Sequence, residues 1–261
     1  MNASEPACPR LKPGERLDDL EREGFRIIQD PARFCFGMDA VLLAAFSRAY
    51  AGERVMDLGT GTGIVPILMA SRHPGAVYTG VELQEASADM AARSVSMNGL
   101  QEKIRILQGD LREPESFAAR ASFDAVTVNP PYKEPSSGNT SLAEPLRIAR
   151  HEETCTLRDV LAAAAFLLRS RGRFYMIHRP TRLAEILSGM REFRLEPKKM
   201  CLVYPKADRE PNMVLLEGLK DGASGMRLVR PLVVYEPDGR YTPAMNHIYE
   251  DDDVQDQFAL L

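Results

Sequence analysis

Tryptophan is absent from the 261 residues, and cysteine and histidine number four each. Cys8, Cys35, Cys155 and Cys201 stand far apart and form no C-x-x-C pair, so the spacing suggests neither a zinc site nor a redox dithiol. Scattered thiols in a chain this long are the pattern of reduced, mostly buried cysteines in a cytoplasm. Long apolar runs are missing too. The longest, Val160–Leu168, is far short of the roughly 18 residues that suggest a membrane span. The opening MNASEPACPR has no hydrophobic stretch behind its charges, so no secretory signal is expected. Neither sign of charge dominates: 33 Lys+Arg against 37 Asp+Glu leave a net charge of −4. A uniformly basic nucleic-acid coat is excluded, while a local basic patch is not. The expectation is a soluble cytoplasmic protein without metal or membrane contact, a monomer in preference to an oligomer.

What is present supports a sizeable core, since 44% of residues are hydrophobic. Residues 1–16, rich in proline and charge, are expected as a flexible leader. Residues 17–250 read as one domain and 251–261 as a solvated acidic tail. Within the domain, strand and helix patterns alternate. A helix over 38–50 is followed by a strand from 54, a helix 64–72, a strand 76–83 and a helix 84–98 stopped by Gly99. Strands 103–111 and 123–132 follow, then a helix 157–170 opened by a Thr156–Asp159 capping box and closed by Gly172. A strand 172–178, a helix 182–190 and strands 199–205 and 212–219 complete the series. Such alternation predicts an α/β fold, a mostly parallel sheet with helices on both faces. About six residues join the last two strands, too few for a parallel crossover, so the last strand is expected antiparallel.

Asp57-Leu58-Gly59-Thr60-Gly61-Thr62-Gly63 follows a strand and precedes a helix. Glycines there permit a tight turn and close approach of a ligand to bare backbone and a helix N-terminus. Glu82 ends the second strand, where a carboxylate can accept both hydroxyls of a ribose. Asp110 ends the third, where it can bond an adenine edge. The phosphate-cradling G-x-x-x-x-G-K-[ST] is absent. Acidic Asp57 suits a cationic ligand portion, an amino group or a sulfonium, better than a pyrophosphate. Together these point to S-adenosylmethionine.

Asn129-Pro130-Pro131-Tyr132 ends the fourth strand. With DLGTGTG, Glu82 and Asp110, this NPPY resembles the class I methyltransferases that act on an exocyclic or amide nitrogen. That resemblance implies a Rossmann-like sheet of seven strands, with Asn129, Pro130, Pro131 and Tyr132 as the catalytic motif. An aromatic amine is a poor nucleophile because its lone pair is delocalised into the ring. The Asn129 side-chain oxygen and the Pro130 carbonyl can each accept one N–H, localising that pair, and Tyr132 offers a stacking face. No group of the motif titrates near neutrality, so catalysis is expected from positioning.

Phe36-Gly37-Met38-Asp39-Ala40-Val41-Leu42-Leu43, Ile148-Ala149-Arg150-His151-Glu152, Tyr204-Pro205-Lys206 and Leu215-Leu216-Glu217-Gly218 extend the similarity. They resemble the bacterial tRNA(Val) adenine-N6 methyltransferase family, which modifies the adenine 3′ to the anticodon. The resemblance implies a cofactor site of Asp39, Asp57, Gly59, Thr60, Gly61, Gly63, Glu82, Leu83, Asp110, Leu111 and Asn129, and a tRNA substrate. Protein glutamine-N5 methyltransferases share NPPY but place a helical domain before the glycine turn, where only about 53 residues stand here. Other rRNA or DNA amino-methyltransferases and an idle RNA-binding relative are the remaining alternatives. RNA contacts are expected from an N-terminal set, Arg10, Lys12, Arg16, Arg22, Arg26 and Arg33. A second set comprises Arg147, Arg150, His178, Arg179, Arg182, Lys198, Lys199, Lys206 and Arg209.

Overall fold

The computed structural model describes residues 11–33, 35–130, 155–250 and 254–259. The chain opens with an antiparallel hairpin, β1 (Arg16–Asp19) and β2 (Arg26–Gln29), then α1 (Met38–Phe46). Strands and helices alternate from there: β3 (Arg54–Leu58), α2 (Ile64–Arg72), β4 (Val77–Glu82), α3 (Glu85–Met97), β5 (Ile104–Gln108) and β6 (Phe123–Val128). Next come α4 (Leu157–Leu167), β7 (Leu168–His178), α5 (Leu183–Glu192), β8 (Leu195–Tyr204) and β9 (Met213–Lys220). Two dipeptide strands, β10 (Arg227–Leu228) and β11 (Leu232–Val233), and α6 (Pro243–Glu250) follow.

The main sheet runs β10-β8-β9-β7-β6-β3-β4-β5, with β11 also on β8. Strands β5, β4, β3, β6 and β7 are mutually parallel, and β9 is antiparallel to both its neighbours, β7 and β8. The seven strands expected from the sequence form this sheet, and β10 and β11 extend its β8 edge to make nine. Side chains from α1, α2 and α6 pack one face of the sheet, and those of α4 and α5 the other. Strand order reverses between β3 and β6, so the carboxyl ends of these two strands bound the crevice in which such sheets take ligands.

Some boundaries differ from the periodic reading. Helix α4 begins at the expected capping box, with Thr156 and Asp159 exchanging bonds, but ends at Leu167, and Gly172 is not its stop. Leu168 is drawn into β7 because it pairs with Phe123 of β6. The register then jumps to Ala125↔Arg173, and a Cβ on Gly172 would lie 2.9 Å from the Arg169 carbonyl. Strand β8 starts at Leu195, ahead of the expected 199, because Pro197 sits at a register shift and the ladder resumes beyond it.

Within the expected leader, residues 1–10 lie outside the described residues, and the rest is tied to α3. Lys12 meets Asp89 at 2.8 Å, and Glu15 meets Arg93 at 2.5 Å. The hairpin behind it carries Ile27 and Ile28, both fully buried, and Ile28 packs with Met90 and Met97 of α3. The expectation of a solvated tail over 251–261 is corrected at Val254 and Phe258, which are 1% and 7% exposed in the core beneath α1.

Candidate active site

The site begins with the register of two adjacent parallel strands. Leu58 of β3 pairs with Val128 of β6, so the glycine turn and Asn129 leave the sheet side by side. Gly59, Gly61 and Gly63 hold left-handed φ angles of 67°, 57° and 88°, which L-residues with a Cβ adopt at a cost. A Cβ at Gly59 or Gly61 would meet nothing within 4 Å. These two glycines therefore serve the path of the turn and leave bare backbone facing open space. Gly63 caps α2 and lies close over Ala91 of α3, where a Cβ would stand 3.3 Å from the alanine methyl. Gly80, which the sequence reading passed over, makes room for Thr60, whose side chain a Cβ there would meet at 2.7 Å.

Two acids, Asp57 and Glu82, adjoin this turn, and a third, Asp110, stands two strands away beyond β5. Glu82, at the end of β4, accepts the Gly61 N–H through Oε2 and the Gln84 N–H through Oε1, both at 2.9 Å. Asp57, 3% exposed, accepts the Thr127 hydroxyl at 2.7 Å. Burial pushes its carboxyl up to about 7, against the pull of the Thr127 hydroxyl and, after it, the Thr60 hydroxyl, and the charge of Glu82 adds to the rise. Asp110 stands beyond β5, and Arg112 forks onto both its oxygens, with Nη2 to Oδ2 at 2.5 Å. That guanidinium holds the Asp110 carboxyl below its ordinary range. Sequence reasoning missed Arg112; an arginine two residues past an aspartate in a turn was the available signal. Leu83 is 43% exposed beside Glu82, and Leu111 is half-buried beside Asp110.

Asp39 lies in the first turn of α1. The opposite end of α1 sits at the amino ends of the strands, where Arg173 at the start of the regular β7 ladder reaches the Arg48 carbonyl at 3.4 Å. Asp39 folds over Gly37, where a Cβ would be 2.8 Å from Oδ1. Asn129 is half-buried and Pro130 buried, while Pro131, Tyr132 and Arg150 lie outside the described residues.

The expected RNA contacts are corrected in two places. His178 is 1% exposed at the end of β7, level with Pro130, and its Nδ1 accepts the Arg179 N–H at 2.8 Å. Burial lowers its pKa to about 4, so it is neutral and shielded, not a surface contact for phosphate. Arg22 is 6% exposed and donates to Ser71 Oγ at 2.8 Å and the Tyr249 carbonyl at 3.2 Å, so it is structural. Of the other basic groups, Arg179 is exposed and donates to the Asn212 carbonyl at 3.1 Å. Lys206, half-buried, donates to the Pro237 carbonyl at 3.0 Å. Among the described residues no cluster of His, Cys, Asp and Glu is arranged for a metal, and no helix is long and apolar enough to cross a membrane.

Comparison with known proteins places this geometry. A protein from Porphyromonas gingivalis called tRNA1(Val) (adenine(37)-N6)-methyltransferase is 29% identical over 234 residues, covering 84% of this chain and 88% of the relative. A protein of the same name from Aeromonas salmonicida is 30% identical over 195 residues, covering 74% and 79%. The crystal structure of a predicted O-methyltransferase from Agrobacterium tumefaciens shares the fold, with a TM-score of 0.67 at 22% identity over 85% of this chain and 98% of that one. The methyltransferase small domain model matches residues 27–192, the span that holds the glycine turn, the three acids and Asn129. The chain belongs to the methyltransferase small domain family.

Proposed function

We propose that the chain is an S-adenosylmethionine-dependent methyltransferase that acts on the exocyclic N6 of an adenine in tRNA, with adenine-37 of the tRNA(Val) anticodon loop as its target. The observation that carries this reading is the juxtaposition of Asn129-Pro130 with the glycine turn at the point where strand order reverses. The names of the two curated relatives support the choice of substrate.

The residues present fit the cofactor. Gly59 and Gly61 present backbone to open space, and Glu82 keeps lone pairs beyond those its two amides use. Asp57 suits the amino-acid end of the molecule, and exposed Leu83 gives an apolar wall beside Glu82. When bound, S-adenosylmethionine supplies a methyl group activated by a sulfonium. Asn129 and Pro130 each accept one N–H of the target amine and so return its lone pair to nitrogen. Neither group titrates near neutrality, so the rate depends on alignment and not on a general base. Tyr132 is assigned the stacking face for the base, at about 1–3 kcal/mol. An unpaired loop base also avoids the few kcal/mol of unstacking that a duplex base demands. The work is assigned to the cytoplasm, where tRNA is the partner, and to a monomer.

Labelled cofactor and unmodified tRNA should yield N6-methyladenosine, read by nucleoside mass spectrometry. Asn129→Ala should lower kcat by about 100-fold or more, the loss of a hydrogen bond made in the transition state. Asn129→Asp retains an acceptor and should keep more of the activity. Label found only in a protein glutamine would overturn the substrate.

A further inference from the structure

Asp57 and Thr127 are register partners on β3 and β6, and the Thr127 hydroxyl donates to Asp57 Oδ1 at 2.7 Å. The Met56 carbonyl lies 3.5 Å from the same hydroxyl, so its single proton goes to the carboxylate. All of β6, FDAVTV, is buried, and Thr127 is its one hydroxyl-bearing residue. Valine would fill the same volume with the same branched shape, and a buried hydroxyl costs free energy unless it is bonded. The hydroxyl therefore answers to its partner and not to the strand. That partner begins the glycine turn, and Thr127 itself stands two residues before Asn129.

We propose that Thr127 is a positioning residue: its hydroxyl orients the Asp57 carboxylate and favours its charged form, preparing it for the cationic amino end of the cofactor and tying that seat to the strand that carries Asn129. The inference rests on the S-adenosylmethionine reading above. Without such a device the site works against itself. The side chain of Asp57 lies among the buried side chains around β3, β4 and β6, and among the described residues the charged group acting on it is Glu82 of β4. Both influences favour the neutral acid, which attracts an ammonium poorly; the Thr60 hydroxyl of the glycine turn opposes them less than Thr127 does. A hydrogen bond donated to the carboxylate favours the charged form. Strand β6 brings no ionisable group to Asp57, only this neutral donor.

The test is binding of S-adenosylhomocysteine, which carries the same amino-acid end, to the full chain by calorimetry from about pH 5.5 to 9. Thr127→Val should bind about 3–10-fold more weakly near neutrality, with the acid limb of the affinity profile moved up by about one pH unit. Thr127→Ser should restore both. Under turnover, Thr127→Val should raise KM for the methyl donor with little change in kcat at saturation. In an Asp57→Asn background the limb should vanish, and Thr127→Val should add no further pH dependence. Thermal melts report whether Thr127→Val folds, and Thr127→Ala gives a second variant without the hydroxyl. An unmoved limb in Thr127→Val, or a loss equal at every pH that serine fails to rescue, overturns the proposal. Wild-type protein that binds no S-adenosylhomocysteine overturns the cofactor reading itself, and this inference with it.

Discussion

Glu82 accepts the N–H of Gly61 at 2.9 Å, so the carboxylate that closes β4 also fixes the middle of the glycine turn leaving β3. Its other oxygen accepts the Gln84 N–H and settles the approach to α3. Both contacts need an acceptor. Glu82→Gln would set an amide NH2 against one of the two backbone donors, leaving that half-buried donor unmatched. The expected result is a loss of about 1–3 kcal/mol of stability and cofactor affinity weakened about 10- to 100-fold. Denaturant unfolding and calorimetric titration check the two parts. Wild-type affinity in Glu82→Gln would remove this carboxylate from the cofactor site.

Asp57 makes the cofactor-free protein less stable as pH rises. Its folded pKa is raised to about 7 by burial, whereas an unfolded aspartate titrates near about 4. Between those values the folded chain holds a proton that the unfolded chain has released. Stability from this group is therefore full below about pH 4, falls as pH rises to about 7, and is level above. Asp57→Asn should lose that slope and gain on the wild type between about pH 5 and 8. The opposite contributions of Glu15, held low by Arg93, and Asp110, held low by Arg112, are common to both proteins and cancel. Urea midpoints at the two pH values check the prediction. Parallel changes in both proteins would refute it.

What was legible in the sequence was what local pattern encodes. The glycine turn, Glu82 and Asp110 follow from strands that end where polar residues begin, and the sheet's direction follows from helices between strands. What was not legible depends on partners far along the chain. The β1–β2 hairpin offers only a short apolar pair, Ile27-Ile28; Ile27 joins the main core, and Ile28 is covered by Met90 and Met97, more than 60 residues away. The end of α4 is set by Phe123 claiming Leu168, against a helical pattern that continues to 170. Thr127 looks like an ordinary β-branched strand residue until β3 is laid beside it.

Arg22 illustrates the same point for charge. It sits in a cationic N-terminal stretch that reads as an RNA contact, yet its guanidinium joins Ser71 at the end of α2 to the Tyr249 carbonyl of α6. Its neighbours are already matched, Arg16 with Asp18 at 2.9 Å and Arg33 with Asp30 at 3.2 Å. Arg22→Met should cost about 2–3 kcal/mol by leaving buried acceptors unpaired. The slope of log affinity for tRNA against log salt should stay at the wild-type value. A reduced slope would return Arg22 to the phosphate-binding surface.

The final segment is bound to the core by aromatic packing. Phe258 meets Phe46 at 5.2 Å between ring centroids and 81° between planes, and Phe46 meets Tyr175 of β7 at 6.1 Å and 89°. Edge-to-face pairs add to the apolar area they bury. Asp251, Asp252, Asp253 and Asp256 disguise this, because acids that close together suggest a solvated run. Val254 and Phe258, four residues apart across a short 3₁₀ turn, are both turned inward. Phe258→Ala should lose about 2–4 kcal/mol, near the range for emptying a buried phenylalanine site, and Phe258→Leu considerably less. Phe46 closes the end of α1 remote from Asp39, so cofactor affinity measured well below the melting temperature should be unchanged in both. Urea midpoints separate the variants, and an unshifted midpoint in Phe258→Ala would mean that the terminal segment contributes nothing to the fold.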